Sequence, residues 1–261
     1  MASVLSSISR FGLTEPFDLQ VARGQITGHK TIFKFGNNSD INGALETIWS
    51  RGGLYVYPTS AIQMKVSSSS ANDAALGTGA RTVSVQGLDQ NYNEVAETIT
   101  LTGQTEVLTT NTFIRVFRAF VITAGSGGTA AGTIYVGTGM VTAGVPATVY
   151  AEIALGENQT TMATWTVPAG YTFYVYRGTF SAASNNVAQY ILGKFMFRPF
   201  GGVFRNAADV TVNSGAIQYD FELPLALPEK SDIEAQAIAL SGSNFYVNAS
   251  FEGMYILNSG T

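Results

Sequence analysis

The chain has 261 residues and a mass of 27.7 kDa, with 46 % hydrophobic, 11 % aromatic and only 12 % charged residues. A chain this apolar buries enough surface to offset its folding entropy, which excludes disorder, and no apolar run approaches the ~18–20 residues of a spanning helix. The formal net charge of −4 and the absence of cysteine exclude a phosphate-neutralising basic stripe, disulfides, thiolate nucleophiles and cysteine-ligated zinc.

Met1–Gly12 carries neither a basic n-region nor a long apolar h-region, so it does not read as a secretory signal. Residues 1–35 hold isolated large apolar side chains, Phe11, Leu13, Phe17 and Leu19, together with Arg23 and Lys30. This segment suits either a strand of a first sandwich or an extended arm docking on a neighbour. In the second case Phe11, Leu13 and Phe17 are the residues expected to insert into the partner. Ile41–Trp49 is the best helix candidate, with Asp40 or Asn42 as N-cap. The serine run Ser67–Ser70, followed by Ala71-Asn72-Asp73, reads as a long exposed loop.

From there nearly everything alternates with period two. Arg81–Gln86 places Val83 and Val85 on one face, and Glu97–Thr102 repeats the pattern after the turn-forming stretch Gly87–Asn93, which predicts an antiparallel hairpin. Further strands are expected at Phe113–Thr123, Thr133–Val136, Ala147–Ile153, Thr161–Val167, Tyr171–Phe180, Val187–Phe197, Ala216–Leu223, Ile233–Leu240 and Phe245–Ile256. The polar stretch Gly156–Thr160 separates two strand-rich halves. The expected fold is therefore all-β, an antiparallel sandwich of jelly-roll type, with an N-terminal arm at 1–35 and two β-domains at 36–155 and 156–261.

No residue constellation carries chemistry. His29 is the only histidine, lies in a loop-like context, and has no G-x-S-x-G sequence to serve. Asn38–Gly43 matches the first half of a calcium loop, but position 12 is Trp49 where a bidentate Glu is needed. Gly125–Gly128 and Gly137–Gly139 lie between strands, without the helix N-terminus or lysine that phosphate cradling needs. Glu94 and Glu97, the nearest acid pair, fall on opposite faces of one strand. Glu229, Asp232 and Glu234 flank Lys230 in a turn, where solvation and local ion pairing explain them. Asn37-Asn38-Ser39, Asn158-Gln159-Thr160 and Asn248-Ala249-Ser250 match the glycosylation sequon. No catalytic, cofactor-binding or metal-ligating residue is expected. Aromatic residues cluster twice, as Tyr171, Phe173, Tyr174 and Tyr176 and as Phe195, Phe197, Phe200 and Phe204. Alternation sends half of the first group into a core, and tyrosines left outside suit either sugar stacking or a protein contact.

The series Val167–Thr172, Arg198–Phe204, Leu227–Glu234 and Ala249–Gly253 resembles a β-sandwich module in structural proteins of tailed phages, particularly those of cyanobacteria. Gly79–Val83, Gly87–Asp89 and Glu97-Thr98 are similar to the same group. The likeness spans roughly two-thirds of the chain and rests on turns and strand edges, so it implies a scaffold and transfers no functional residue. It implies a non-enzymatic virion protein assembled in the host cytoplasm. The leading role is a capsid cement or decoration protein that bridges subunits of the major capsid protein, most economically as a homotrimer. The alternative role is a tail or fibre component whose outer face binds a host-surface glycan through Tyr174 or Tyr176.

Overall fold

The structure, a computed structural model, describes residues 15–184 and 188–258. One short helix, α1 (Phe17–Ala22), precedes a succession of strands. These are β1 (His29–Ile41), β2 (Glu46–Thr47), β3 (Ile62–Ser68), β4 (Ala80–Leu88), β5 (Glu94–Thr100), β6 (Val107–Phe113), β7 (Arg115–Ala124) and β8 (Ile134–Thr142). They continue with β9 (Val145–Ile153), β10 (Thr164–Thr166), β11 (Tyr171–Ala183), β12 (Tyr190–Arg198), β13 (Arg205–Val212), β14 (Gly215–Leu227), β15 (Asp232–Ser241) and β16 (Phe245–Leu257). The protein is thus nearly all β, and its sheets are antiparallel.

Among the described residues the strands form four sheets around two cores. In the larger unit, a sheet in the order β1-β16-β11-β14 faces a sheet in the order β10-β15-β12-β13, with β2 also on β15. Their shared core contains Trp165, Phe173, Phe180, Phe195, Phe245 and Phe251. The eight long-range strands of this unit pair in a nested way: β1 with β16, β10 with β15, β11 with β14 and β12 with β13. The first strand thus meets the last, and each later strand meets the next one in from the end. In the smaller unit, sheets β6-β3-β8-β9 and β5-β4-β7 enclose Met64, Val83, Val85, Phe113, Ile134 and Ile153.

The smaller unit is an insertion between the first two strands of the nest. The chain leaves the larger unit through β2, whose Thr47 and Glu46 pair with Gln236 and Ala237 of β15. It returns through β10, whose Thr164–Thr166 pair with Glu234–Asp232 of the same strand. An isolated bridge between Trp49 and Met162 joins the outgoing and returning segments. Both ends of the insertion are therefore pinned side by side along β15, whose residues are almost all buried.

Several sequence expectations are revised by the structure. Ile41–Trp49 is not helical; it ends β1 and forms β2, because Ile41 and Ile48 are drawn wholly into the larger core. Of the two readings of residues 1–35, residues 29–35 follow the strand: they are the first half of β1, laddered to β16. The two cores divide the chain between Ile48 and Trp49 and between Met162 and Ala163, which departs from the expected bounds 36–155 and 156–261. The serine-rich stretch is also less exposed than expected: Ser67, Ser68 and Asp73 are fully buried. The Asp73 carboxylate accepts from the amides of Ala80, Ala131 and Gly132 at 2.7–2.9 Å and from the Ser68 hydroxyl at 2.6 Å. Those four bonds tie the two loops at one end of the insertion together and satisfy a carboxylate that would otherwise be costly to bury.

The sheets of the larger unit interlock through reciprocal glycines. Gly178 of β11 receives the Phe195 ring of β12, and Gly193 of β12 receives the Phe180 ring of β11, with the two rings edge to face at 4.8 Å. A Cβ on Gly178 would stand 2.0 Å from the Phe195 ring. Gly178→Ala is therefore expected to overpack the core and cost about 3 kcal/mol. Urea unfolding would read this as a lower midpoint with an unchanged slope, and an unchanged midpoint would refute the interlock.

Candidate functional site

The polar centre of the molecule lies where the two units meet. Asp232, at the start of β15, is buried and held by two guanidinium groups. Arg115, from the inserted unit, donates Nε to Oδ1 at 2.8 Å and Nη2 to Oδ2 at 3.1 Å. Arg198, from the end of β12, donates Nε at 2.9 Å and Nη2 at 2.5 Å to Oδ2. The Thr166 hydroxyl adds a bond to Oδ1 at 2.6 Å. Arg115 also donates through Nη1 to the carbonyls of Pro58 and Ile114 at 3.1 and 2.8 Å, so its fork is committed on all sides. Charge-assisted bidentate bonds of this kind fix orientation as well as contributing energy. Aromatic rings stack around the cations: Tyr57 lies 5.0 Å from Arg115 and 4.6 Å from Arg198, and Phe204 lies 4.6 Å from Arg198.

Glu234, two residues along β15, is buried beside this cluster. It accepts a bond from the Tyr57 hydroxyl at 2.7 Å and another from the Gln236 amide. Burial pushes its carboxyl up from 4.5 to about 7, against the two hydrogen bonds that favour the ionised form. The Tyr57 hydroxyl is pushed well above 10 by burial and by the facing Glu234. A second set of contacts closes the seam on the β1 side. The Lys34 amine donates to the carbonyl of Phe117 and is lowered to about 7 by burial and by the neighbouring charge of Arg118. Glu94 accepts from Lys30 and, at 2.8 Å, from the Tyr255 hydroxyl. Between Arg115, Arg198, Lys230, Tyr57, Tyr92 and Phe200 the seam opens to solvent as a cleft of about 340 Å³.

The outer surface holds the sequence-predicted contact residues. Phe11 and Leu13 lie outside the described residues. Phe17 stands on α1, 45 % exposed, with its ring edge-on to His29 at 5.9 Å. His29 itself begins β1, and Asn38–Ile41 end it, so neither forms a separate loop site. Glu94 and Glu97 do not come together: Glu97 accepts from the amides of Thr110 and Asn111 at 2.7 and 2.8 Å, far from the Lys30–Tyr255 group that holds Glu94. These bonds hold the Glu97 carboxyl below its usual range although burial acts the other way. Within the aromatic cluster of β11, Phe173 is buried, Tyr171 and Tyr174 are half-buried and Tyr176 is exposed. Tyr176 stands at a bulge where four residues of β14, Phe221–Pro224, oppose this one residue of β11. β14 is a sheet edge, exposed along almost its whole length, and its Leu223 is 86 % exposed.

Sequence reasoning alone places Glu229, Asp232 and Glu234 in a solvated turn and so misses the Asp232 cluster. The signal that was available is the period-two spacing of Asp232, Glu234 and Gln236 inside an otherwise apolar strand, which sends three polar side chains to one face.

No protein-family model matches the chain, and no curated protein matches it. Solved structures of infectious bursal disease virus show a distant likeness. The Gx strain aligns at 10 % identity with a TM-score of 0.25, covering 89 % of this chain and 73 % of that chain. The VP2 subviral particle aligns at 9 % identity and a TM-score of 0.24, over 89 % and 72 %. Particles of T=1 type align at 9 % identity and 0.22, over 89 % and 75 %. Similarity this low carries no argument about function, so the functional reading rests on the residues and the strand order.

Two outcomes test the seam. Asp232→Asn leaves Arg115 and Arg198 without their shared counter-charge and is expected to cost about 3–5 kcal/mol in denaturant unfolding. For Glu234, the folded chain retains a proton between pH 4.5 and about 7 that the unfolded chain releases. Stability from this group is therefore full at the acidic end of that window and falls as pH rises through it, by on the order of 3 kcal/mol. Glu234→Gln is expected to flatten this dependence. The check is the difference in unfolding free energy between about pH 5 and about pH 8, which should shrink in the variant.

Proposed function

We propose that this is a non-enzymatic structural protein of a tailed-phage virion, and within the virion a cement that bridges subunits of the capsid shell. The observation that carries the reading is the nested pairing of eight strands, β1–β16, β10–β15, β11–β14 and β12–β13, in two facing sheets. That order supports a jelly roll, an architecture used by viral capsid domains and also by lectins and cupins. Since such a fold hosts many functions, the surface must supply the rest. It offers the free edge of β14, with Ile217, Tyr219 and Leu223 exposed, and α1 with Phe17 and Leu19 exposed. The sequence likeness to phage structural proteins points the same way. The mechanism is burial of these surfaces against adjacent shell subunits, opposing their separation under internal pressure. A homotrimer at the local three-fold positions is the economical arrangement, with Phe11, Leu13 and Phe17 as the inserted anchors.

A second reading, a tail or fibre component binding a host glycan, is favoured by one observation. Tyr176 and Phe33, 38 % and 59 % exposed, line a shared depression with Met254 and Glu252. The copy number of the chain relative to the major capsid protein, measured by quantitative mass spectrometry of purified virions, separates the two. A ratio near that of the shell subunits is expected, and a few copies per particle would overturn the cement reading. Deleting residues 2–20, or replacing Phe11, Leu13 and Phe17 together by Asp, is expected to abolish binding to capsids while the β units stay folded. Unchanged binding of both variants would remove the arm from the mechanism.

A further inference from the structure

We propose that the cleft between the two units binds an acidic saccharide, with the Lys230 ammonium taking its carboxylate and the exposed ring of Phe200, backed by Tyr92, taking the face of its sugar. The site is a different one from the Tyr176 surface and does not depend on the cement reading.

Charge makes the first part of the argument. In a chain of net charge −4, three cations, Arg115, Arg198 and Lys230, converge on this one cleft. Among the described residues the single carboxylate lining it, Asp232, is already shared by both arginines. The adjacent Glu229 carboxylate turns away to accept from the Gly170 amide at 2.6 Å. Lys230 is left over: among the described residues its ammonium makes no ion pair and no hydrogen bond, and only rings hold it, Phe200 at 5.4 Å and Tyr92 at 5.8 Å. A cation fixed by aromatic faces at the mouth of a cleft, with all three donors free, is a ready partner for an anion.

Backbone geometry makes the second part. Lys230 and Tyr92 both hold left-handed conformations, with φ of +61° and +65°. Glycine occupies that region without the steric cost that a side chain incurs. Of the four non-glycine residues with positive φ among the described residues, these two line the cleft, placing backbone strain there. The Tyr92 turn is braced by its carbonyl, which accepts from Ala169 at 2.9 Å, and the Lys230 turn by its amide, which donates to Val167 at 2.8 Å.

Shape selects the ligand class. Phe200 is 63 % exposed and stands edge to face with Tyr92 at 5.7 Å, which leaves an open aromatic surface beside the ammonium. The C–H face of a pyranose fits such a surface while a ring carboxylate reaches Lys230. The volume is at the lower end of the range for small-ligand clefts. The walls are turns and the ends of β7, β12 and β15, so an extended acidic peptide would find only strand termini and no continuous ladder of backbone groups to pair with.

Isothermal titration calorimetry with a galacturonate oligomer tests the proposal. Saturable binding is expected, falling at least about tenfold in Lys230→Gly and in Phe200→Ala. Glycine at position 230 suits the left-handed backbone, so the variant is expected to keep the wild-type unfolding midpoint. Three control titrations use a neutral galactose oligomer, sodium sulfate and a polyglutamate peptide, each expected to bind far more weakly. The proposal is overturned if the galacturonate oligomer gives no binding, or binds Lys230→Gly as well as the wild type. A neutral oligomer binding equally well would refute the role of the ammonium. Sulfate or polyglutamate binding as tightly would refute the saccharide.

Discussion

Asp232 is a buried carboxylate gripped from opposite sides by arginines that belong to different units, Arg115 from the insertion and Arg198 from the nested sheets. A buried ion pair of this kind is weak evidence for net stability, since desolvation offsets much of the attraction. Its geometric demand is another matter. Arg198 and Thr166 hold the carboxylate from within the larger unit and two backbone carbonyls hold Arg115 within the insertion, so the bidentate Arg115–Asp232 bonds that cross between them are made only when the two units sit at one mutual angle. The aromatic stack of Tyr57 and Phe204 around the cations follows from that placement, and so does the cleft that opens beyond them.

The strand that carries Asp232 has a second task. β15 lies between β12 on one side and, on the other, β10 and β2 in succession. Those two short pieces are the roots of the inserted unit, so the same strand anchors the insertion by ladder hydrogen bonds to its roots and electrostatically at its start. Its polar side chains Asp232, Glu234 and Gln236 face the insertion, while Ile233, Ala235 and Ala237 join the core of the larger unit. Small residues at 235 and 237 leave room for the large rings of the facing sheet, as the glycines at 178 and 193 do for Phe195 and Phe180.

Much of the strand content was legible because alternation needs only local sequence. β4, β5, β9, β11, β15 and β16 were each foreseen close to their observed bounds. The strands that escaped or stayed ambiguous are those whose pattern is broken. β1 carries Lys34 and Asn38 on its inward face, charged and polar residues that become buried only because Phe117 and Glu46 receive them from elsewhere in the chain. β6 and β13 are rich in Thr, Asn and Asp, and little in their sequence distinguishes an edge strand from a loop. The helix expected at Ile41–Trp49 failed because its cap signal was local while the pull on Ile41 and Ile48 came from residues more than a hundred positions away. The candidate site was opaque for the same reason. Arg115 and Asp232 are separated by 117 positions, and nothing in either neighbourhood names the other.

The nested pairing has a consequence for how the chain comes into being. β1 has its ladder partner in β16, so that His29 waits for Ile256 across nearly the whole length of the molecule. Ribosomes deliver the N-terminus first, and contacts of such long sequence separation form slowly because loop closure precedes any gain. The inserted unit is complete in itself, with β3 to β9 paired among one another, and emerges entire while β1 still lacks its partner. It is thus a domain born inside an unfinished one. Its paired neck at Trp49 and Met162 can set the spacing of the two ends on which the outer strands later close.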